Sequence, residues 1–177
     1  PPRRERSQAL PRRLGPANAT VQRIDTTPLW ADRDMSGSYA ALDHPADLLL
    51  EIRGNDLPDL FEHALYAFYS QVVDVGQVAP RSELKLEVTE TSVEGALRAL
   101  LNEALFRLET EGFLAGAARV SIRQGQSLRV RAELQGENAD RERHDLLLEV
   151  KAVTYHRLTA TRSCDDGRWQ ATVLLDV

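Results

Sequence analysis

With a single cysteine, Cys164, the chain of 177 residues can form no internal disulfide, and no Cys/His spacing suggests zinc. Long apolar runs are also missing. None approaches the ~18 residues a membrane-spanning helix requires, which argues against a spanning segment. The head of the chain lacks the continuous apolar stretch of a secretory signal, so export is not expected. No glycine-rich phosphate loop is present, because Gly95 and Gly116 match no such spacing. No serine or cysteine triad is recognisable, and Cys164 lies beside Asp165 and Asp166, a poor setting for a nucleophile. These absences leave a cytoplasmic protein of ordinary globular composition as the expectation, with 42% apolar and 28% charged residues.

What is present is unevenly spread. Residues 1–36 hold seven arginines against four acids, a balance of +3, and five of the eight prolines fall in the first 28 residues. The rest has fifteen bases and twenty-three acids, a balance of −8, within a net charge of −5. We read 1–36 as a flexible basic arm closed by Ser36-Gly37, and 37–177 as one domain. The acidic body argues against direct, sequence-independent binding of nucleic acid, and direct sequence-specific binding is not expected either.

From Tyr39 the pattern becomes regular. Strands are predicted at 38–43 and 47–53, where Leu48, Leu50 and Ile52 alternate with Leu49, Glu51 and Arg53. Asp56 is a good N-cap for a helix over 57–73, with Leu57, Leu60, Phe61, Ala64, Leu65, Phe68 and Val72 on one stripe. A strand at 82–90 precedes a second helix, capped by Ser92 and ended near Gly112. Beyond it the chain contains no proline, and strands are expected at 117–123, 127–135, 147–153, 155–163 and 168–176. The order β-β-α-β-α followed by a β-meander predicts an α+β fold: a mostly antiparallel sheet with two packed helices.

The chemistry gathers at Asp43-His44-Pro45-Ala46-Asp47 and at the closing Asp176 and Val177. If the two stretches meet, several negative oxygens converge, which is unfavourable unless a proton or a metal cation neutralises them. A hard-cation site is the resulting hypothesis. Taken alone, an aspartate before a proline-containing turn is ordinary turn chemistry, and His44 reads more readily as a partly buried imidazole bonded to backbone than as a general base or metal ligand. Lys151, in the run Glu149 to His156, is either an edge-strand charge, a counter-ion to the acids or a partner contact.

Taken together, Asp43 to Asp47, Leu57-Pro58-Asp59-Leu60-Phe61-Glu62, Leu100 to Phe106, Glu111-Gly112, Gly136-Glu137, Arg143-His144, Glu149 to His156 and Trp169 to Val177 resemble the archease family over about 38–177. The resemblance implies a protein that performs no turnover of its own. It would promote guanylylation and multiple turnover of an RtcB-type RNA ligase in tRNA splicing and RNA repair. It also implies a divalent cation (calcium, or else manganese or magnesium) held by Asp47, Asp176 and Val177, all hard oxygen donors. Asp43, His44, His144, Lys151, Tyr155 and His156 would support that site or touch the partner. Pro45 stands where the family usually has Thr, Leu49 where it has a small residue, and the basic arm is not a family feature. A stand-alone metal-dependent phosphohydrolase and a general protein chaperone are the competing readings.

Overall fold

A computed structural model describes residues 27–44 and 47–177, with side chains for all of these except Asp43 and His44. Its regular elements are β1 (Tyr39–His44), β2 (Asp47–Gly54), α1 (Leu57–Val72), β3 (Ser82–Glu90), α2 (Val93–Glu111), β4 (Phe113–Gln124), β5 (Leu128–Asn138), β6 (Ala152–Val153), β7 (Thr159–Arg162) and β8 (Trp169–Asp176). The α+β class and the β-β-α-β-α order are those read from the sequence.

Local chemistry explains where the helices begin and end. The Asp56 carboxylate accepts the Asp59 N–H at 2.9 Å, and Pro58 occupies the first turn of α1, where its missing donor costs nothing. Ser92 accepts from Gly95 N–H at 3.0 Å to open α2. Gly112 closes that helix at φ +68°, a left-handed conformation that glycine adopts without strain.

The strands form two antiparallel sheets rather than one. The larger has the order β1-β2-β8-β6, with β7 also paired to β8; the smaller has the order β3-β5-β4. The strands after α2 therefore divide: β4 and β5 form a hairpin whose outer neighbour is β3, while β6, β7 and β8 join β1 and β2. α1 packs against β2 and β4, and α2 against β3, β5 and β6, so the helices bridge the two sheets. Their apolar stripes supply the centre of the core. Leu60, Phe61, Leu65, Phe68, Leu97, Leu100 and Leu101 are all fully buried against Leu50, Ile52, Leu86, Val130 and Val173.

Two sequence expectations are corrected. Residues 147–153 form a strand only at Ala152–Val153, and 155–163 only at Thr159–Arg162. Leu146, Leu147 and Leu148 are exposed, and of this segment only Val150 and Val153 reach the core. An apolar run expected to form a strand is instead a connection lying on the surface. The other correction concerns the arm. Residues 1–26 lie outside the described residues, but 27–36 belong to the packed body. Trp30 is 1% exposed, with its ring 5.5 Å from that of Tyr66 and its indole N–H donated to Glu62. Met35 is buried as well. One indole buries enough apolar surface to hold a short 3-10 turn on the core without help from periodicity.

Candidate metal centre

The larger sheet brings the two ends of the domain together. β8 lies antiparallel to β2, and the register sets Asp47 directly opposite Asp176. On the other flank of β8, Ala152 is the partner of Asp176. On the other flank of β2, His44 is the backbone partner of Asp47 and Asp43 that of Leu48. One row across four strands thus reads His44, Asp47, Asp176, Ala152. Leu48, Leu50 and Ile52 of β2, with Ala171, Val173 and Leu175 of β8, are buried. Asp47 and Asp176 fall on the alternate positions and are half-buried.

Cross-strand partners hold their Cβ atoms about 4.5–5.5 Å apart, and like charges so placed destabilise the pair. Lys151 reinforces the arrangement from the side. Its backbone N–H donates to the Asp176 carbonyl at 2.8 Å, and its Nζ donates to the Val177 main-chain oxygen at 3.0 Å. The counter-ion role considered for Lys151 thus has a geometric counterpart at Val177. Among the described residues no three His, Cys, Asp or Glu side chains are grouped to hold a metal. A cation here would rest on two side-chain carboxylates and the Val177 oxygen. That all-oxygen set suits calcium, magnesium or manganese and does not suit a softer metal.

The remaining sequence candidates separate. Tyr155 is 67% exposed, and its ring lies under the Arg98 guanidinium at 4.0 Å. Arg98 Nε also donates to the Val153 carbonyl at 3.1 Å, so α2 fixes the segment after β6. His156 is exposed in the following turn, where its N–H donates to Thr154 Oγ1. Arg157 in that turn has φ +54°, an uncommon value for a side chain of this kind. Arg98 gave no signal in the sequence, being one basic residue on an otherwise ordinary helix.

His144 was a candidate for support or partner contact, and its burial leaves it no surface with which to touch a partner. Its side chain is wholly buried, accepting the Asp140 N–H at Nδ1 (2.9 Å) and directing Nε2 at Glu137 (3.2 Å). Glu137 is 4% exposed and accepts from Ala79 N–H at 2.8 Å and Arg143 at 2.5 Å, with Arg81 at 3.2 Å. Burial alone would raise its pKa. The hydrogen bonds from Arg143 and Ala79, with the charges of Arg143 and Arg81, outweigh burial and hold it at about 2. The Gly136-Glu137 and Arg143-His144 motifs are therefore one structural clasp.

Comparison with known proteins decides the family. The Archease protein family model matches residues 39–177. The chain belongs to the archease family. It is 35% identical to Protein archease of Thermococcus gammatolerans over 136 residues, 76% of this chain and 95% of the relative. Protein archease of Pyrococcus furiosus is 32% identical over the same shares. The solution structure of Methanobacterium thermoautotrophicum Protein 1598 superposes with a TM-score of 0.71 at 30% identity, covering 79% of this chain and 99% of that one. This archease-family chain has no helix, among the described residues, long and apolar enough to cross a membrane.

Proposed function

We propose that the protein is an accessory activator of an RtcB-type RNA ligase, promoting guanylylation and multiple turnover of the enzyme rather than catalysing a reaction itself. In this reading it works in the cytoplasm, in tRNA splicing and RNA repair. A divalent cation is held by Asp47, Asp176 and the Val177 oxygen. The observation that carries the proposal is the register pairing of Asp47 with Asp176 at an accessible end of the sheet, within a chain of the archease family. Two opposed carboxylates on rigid strands are suited to receive a cation and to present it. A ligand acts on its partner only through a difference in affinity for the partner's states. The cation-loaded end would therefore favour the ligase conformation competent for guanylylation.

The test is guanylylation of a cognate ligase with wild-type protein, Asp47→Ala and Asp176→Ala. Stimulation should be lost in both variants; equal stimulation by all three rejects the metal-site part of the proposal. A tag joined to Val177 should weaken cation binding measured by calorimetry, and an N-terminal tag should not. The exposed leucines of the 146–148 segment are the one observation that favours a general chaperone. Suppression of aggregation of unrelated clients at substoichiometric amounts would support that alternative.

A further inference from the structure

The negative charge of this molecule is not evenly spread, and the smaller sheet carries the opposite sign. Its outward positions on β3, β5 and β4 hold five exposed bases, Lys85, Arg119, Arg123, Arg129 and Arg131, against three exposed acids, Glu83, Glu87 and Glu133. Toward one end of the face Glu133 stands in register between Lys85 and Arg119, and with Glu83 the charge there is balanced. Around Glu87, at the end formed by the β4–β5 hairpin, three guanidinium groups gather instead. Arg131 donates to Glu87 at 2.7 Å, Arg129 lies 3.7 Å from it, and Arg123 is directly opposite Arg129. The Glu87 carboxyl is held below its usual range by Arg131 first, and the charges of Arg129 and Arg123 add to that effect. One carboxylate cannot neutralise three guanidinium groups, so positive charge is in surplus at this end. Ser121 stands opposite Arg131 and Thr89 opposite Arg129, adding two exposed hydroxyl donors to the same patch.

We infer that this patch on the outer face of the smaller sheet binds the sugar-phosphate backbone of a base-paired RNA stem. Guanidinium forks pair with phosphate oxygens bidentately, and hydroxyl donors commonly complete such contacts. Like charges set directly opposite, as Arg123 and Arg129 are, favour an anion shared between them. The net charge of −5 argues against nucleic acid only as an average, whereas binding answers to the local field. None of the prominently exposed large apolar side chains lies on this face, and a protein partner would need them at the centre of an interface. The face has no outward aromatic ring either, so bases cannot stack on it as they do in single-strand sites. What remains is contact with the backbone, the means by which a paired stem is recognised. The choice of RNA over DNA rests on the function proposed above. Position permits both roles at once. Ile122 and Gln124, at this end of β4, line a cavity with Leu57 and Trp169. Trp169 is the partner of Gly54, at the opposite end of β2 from Asp47, and seven residues of strand span ~23 Å.

The experiment follows fluorescence anisotropy of a labelled RNA duplex of ~16 base pairs with the full chain, across a series of salt concentrations. Wild type should bind, with an affinity that falls steeply as salt rises. Arg123→Ala/Arg129→Ala should weaken binding ~tenfold or more and lower the log–log salt slope by about two, with the thermal unfolding midpoint unchanged. Arg123→Lys/Arg129→Lys should keep most of that slope, because the charges stay. Arg107→Ala/Arg141→Ala removes as much charge from α2 and the turn after β5, and should stay within about twofold of wild type. No wild-type binding at about 50 mM salt overturns the inference. So does undiminished binding by Arg123→Ala/Arg129→Ala, or an equal loss in Arg107→Ala/Arg141→Ala. Tighter binding of a single strand than of the duplex, or displacement of the duplex by polyglutamate at equal charge, overturns the choice of occupant. Guanylylation of the ligase assayed without RNA separates this inference from the activator reading, since Arg123→Ala/Arg129→Ala should stimulate it as wild type does. Loss of that stimulation would make the patch a ligase contact and overturn the inference. A wild-type protein that binds the duplex without stimulating the ligase overturns the activator reading and leaves the patch standing.

Discussion

Carboxylates are handled in opposite ways at two places in this molecule. Glu137, at the end of the smaller sheet, is buried and surrounded by groups of its own chain: Arg143, Arg81, His144 and the Ala79 N–H. Asp47 and Asp176, in the larger sheet, are half-buried and set face to face across a strand pair. The first arrangement is closed, with its charge matched internally. The second places two carboxylates directly opposite each other in register. On the function proposed above, the acidic pair serves cation binding, whereas the Glu137 clasp serves the fold.

Removing one side of the closed arrangement should have the largest effect. Glu137→Gln leaves Arg143 without its anionic partner, and we expect a loss of about 3 kcal/mol in denaturant unfolding with cation affinity unchanged. The pH dependence follows from the same group. The Glu137 carboxyl titrates at about 2 when folded, against an ordinary value of 4.5. Its stabilising contribution is therefore whole above pH 4.5 and is lost as the pH falls toward 2. Unfolding free energies of wild type and Glu137→Gln should converge across that window; a gap that widens on acidification would contradict the closed-clasp account.

The open arrangement should respond in the other currency, affinity. Asp47→Ala or Asp176→Ala should lower divalent-cation affinity at least ~tenfold in calorimetry. Lys151→Met removes the ammonium that already occupies one Val177 oxygen, and should raise cation affinity ~threefold while flattening its salt dependence. Smallest of all, Asp176→Asn without cation should leave stability unchanged or raise it by about 0.5 kcal/mol, since a like-charge pair is relieved. A marked loss there would show that the acidic pair supports the fold after all.

Much of this could be read from residue order, and the exceptions have physical reasons. β3 lies at 82–90 as its alternation indicates, and the caps Asp56, Ser92 and Gly112 end the helices where such residues should. Each of these depends on neighbours within a few positions. The division into two sheets does not. β2 pairs with β8 more than a hundred positions away, and no local signal separates that partner from β5. His144 was named as a support or partner contact; its imidazole lies between the Asp140 N–H and the Glu137 carboxylate, a pairing that no local pattern announces. Gly136 gave no local signal either, yet a Cβ there would lie 1.9 Å from the Leu114 carbonyl oxygen, so only glycine lets β5 run this close to β4. The leucines that open 147–153 misled because an apolar run was expected to form a strand, whereas these side chains remain at the surface. For the candidate site, the meeting of Asp47 with Asp176 was anticipated, but Arg98 and the exposed leucines were not.

β8 is last in order yet interior to its sheet, with β2 along one edge and β6 and β7 along the other. While the polypeptide is being synthesised, both flanks must wait, with their amide edges open, until Asp176 has left the ribosome. Folding of this half is thus postponed until β8 has been made, and a product lacking Trp169 onward would carry unzipped strands that invite self-association.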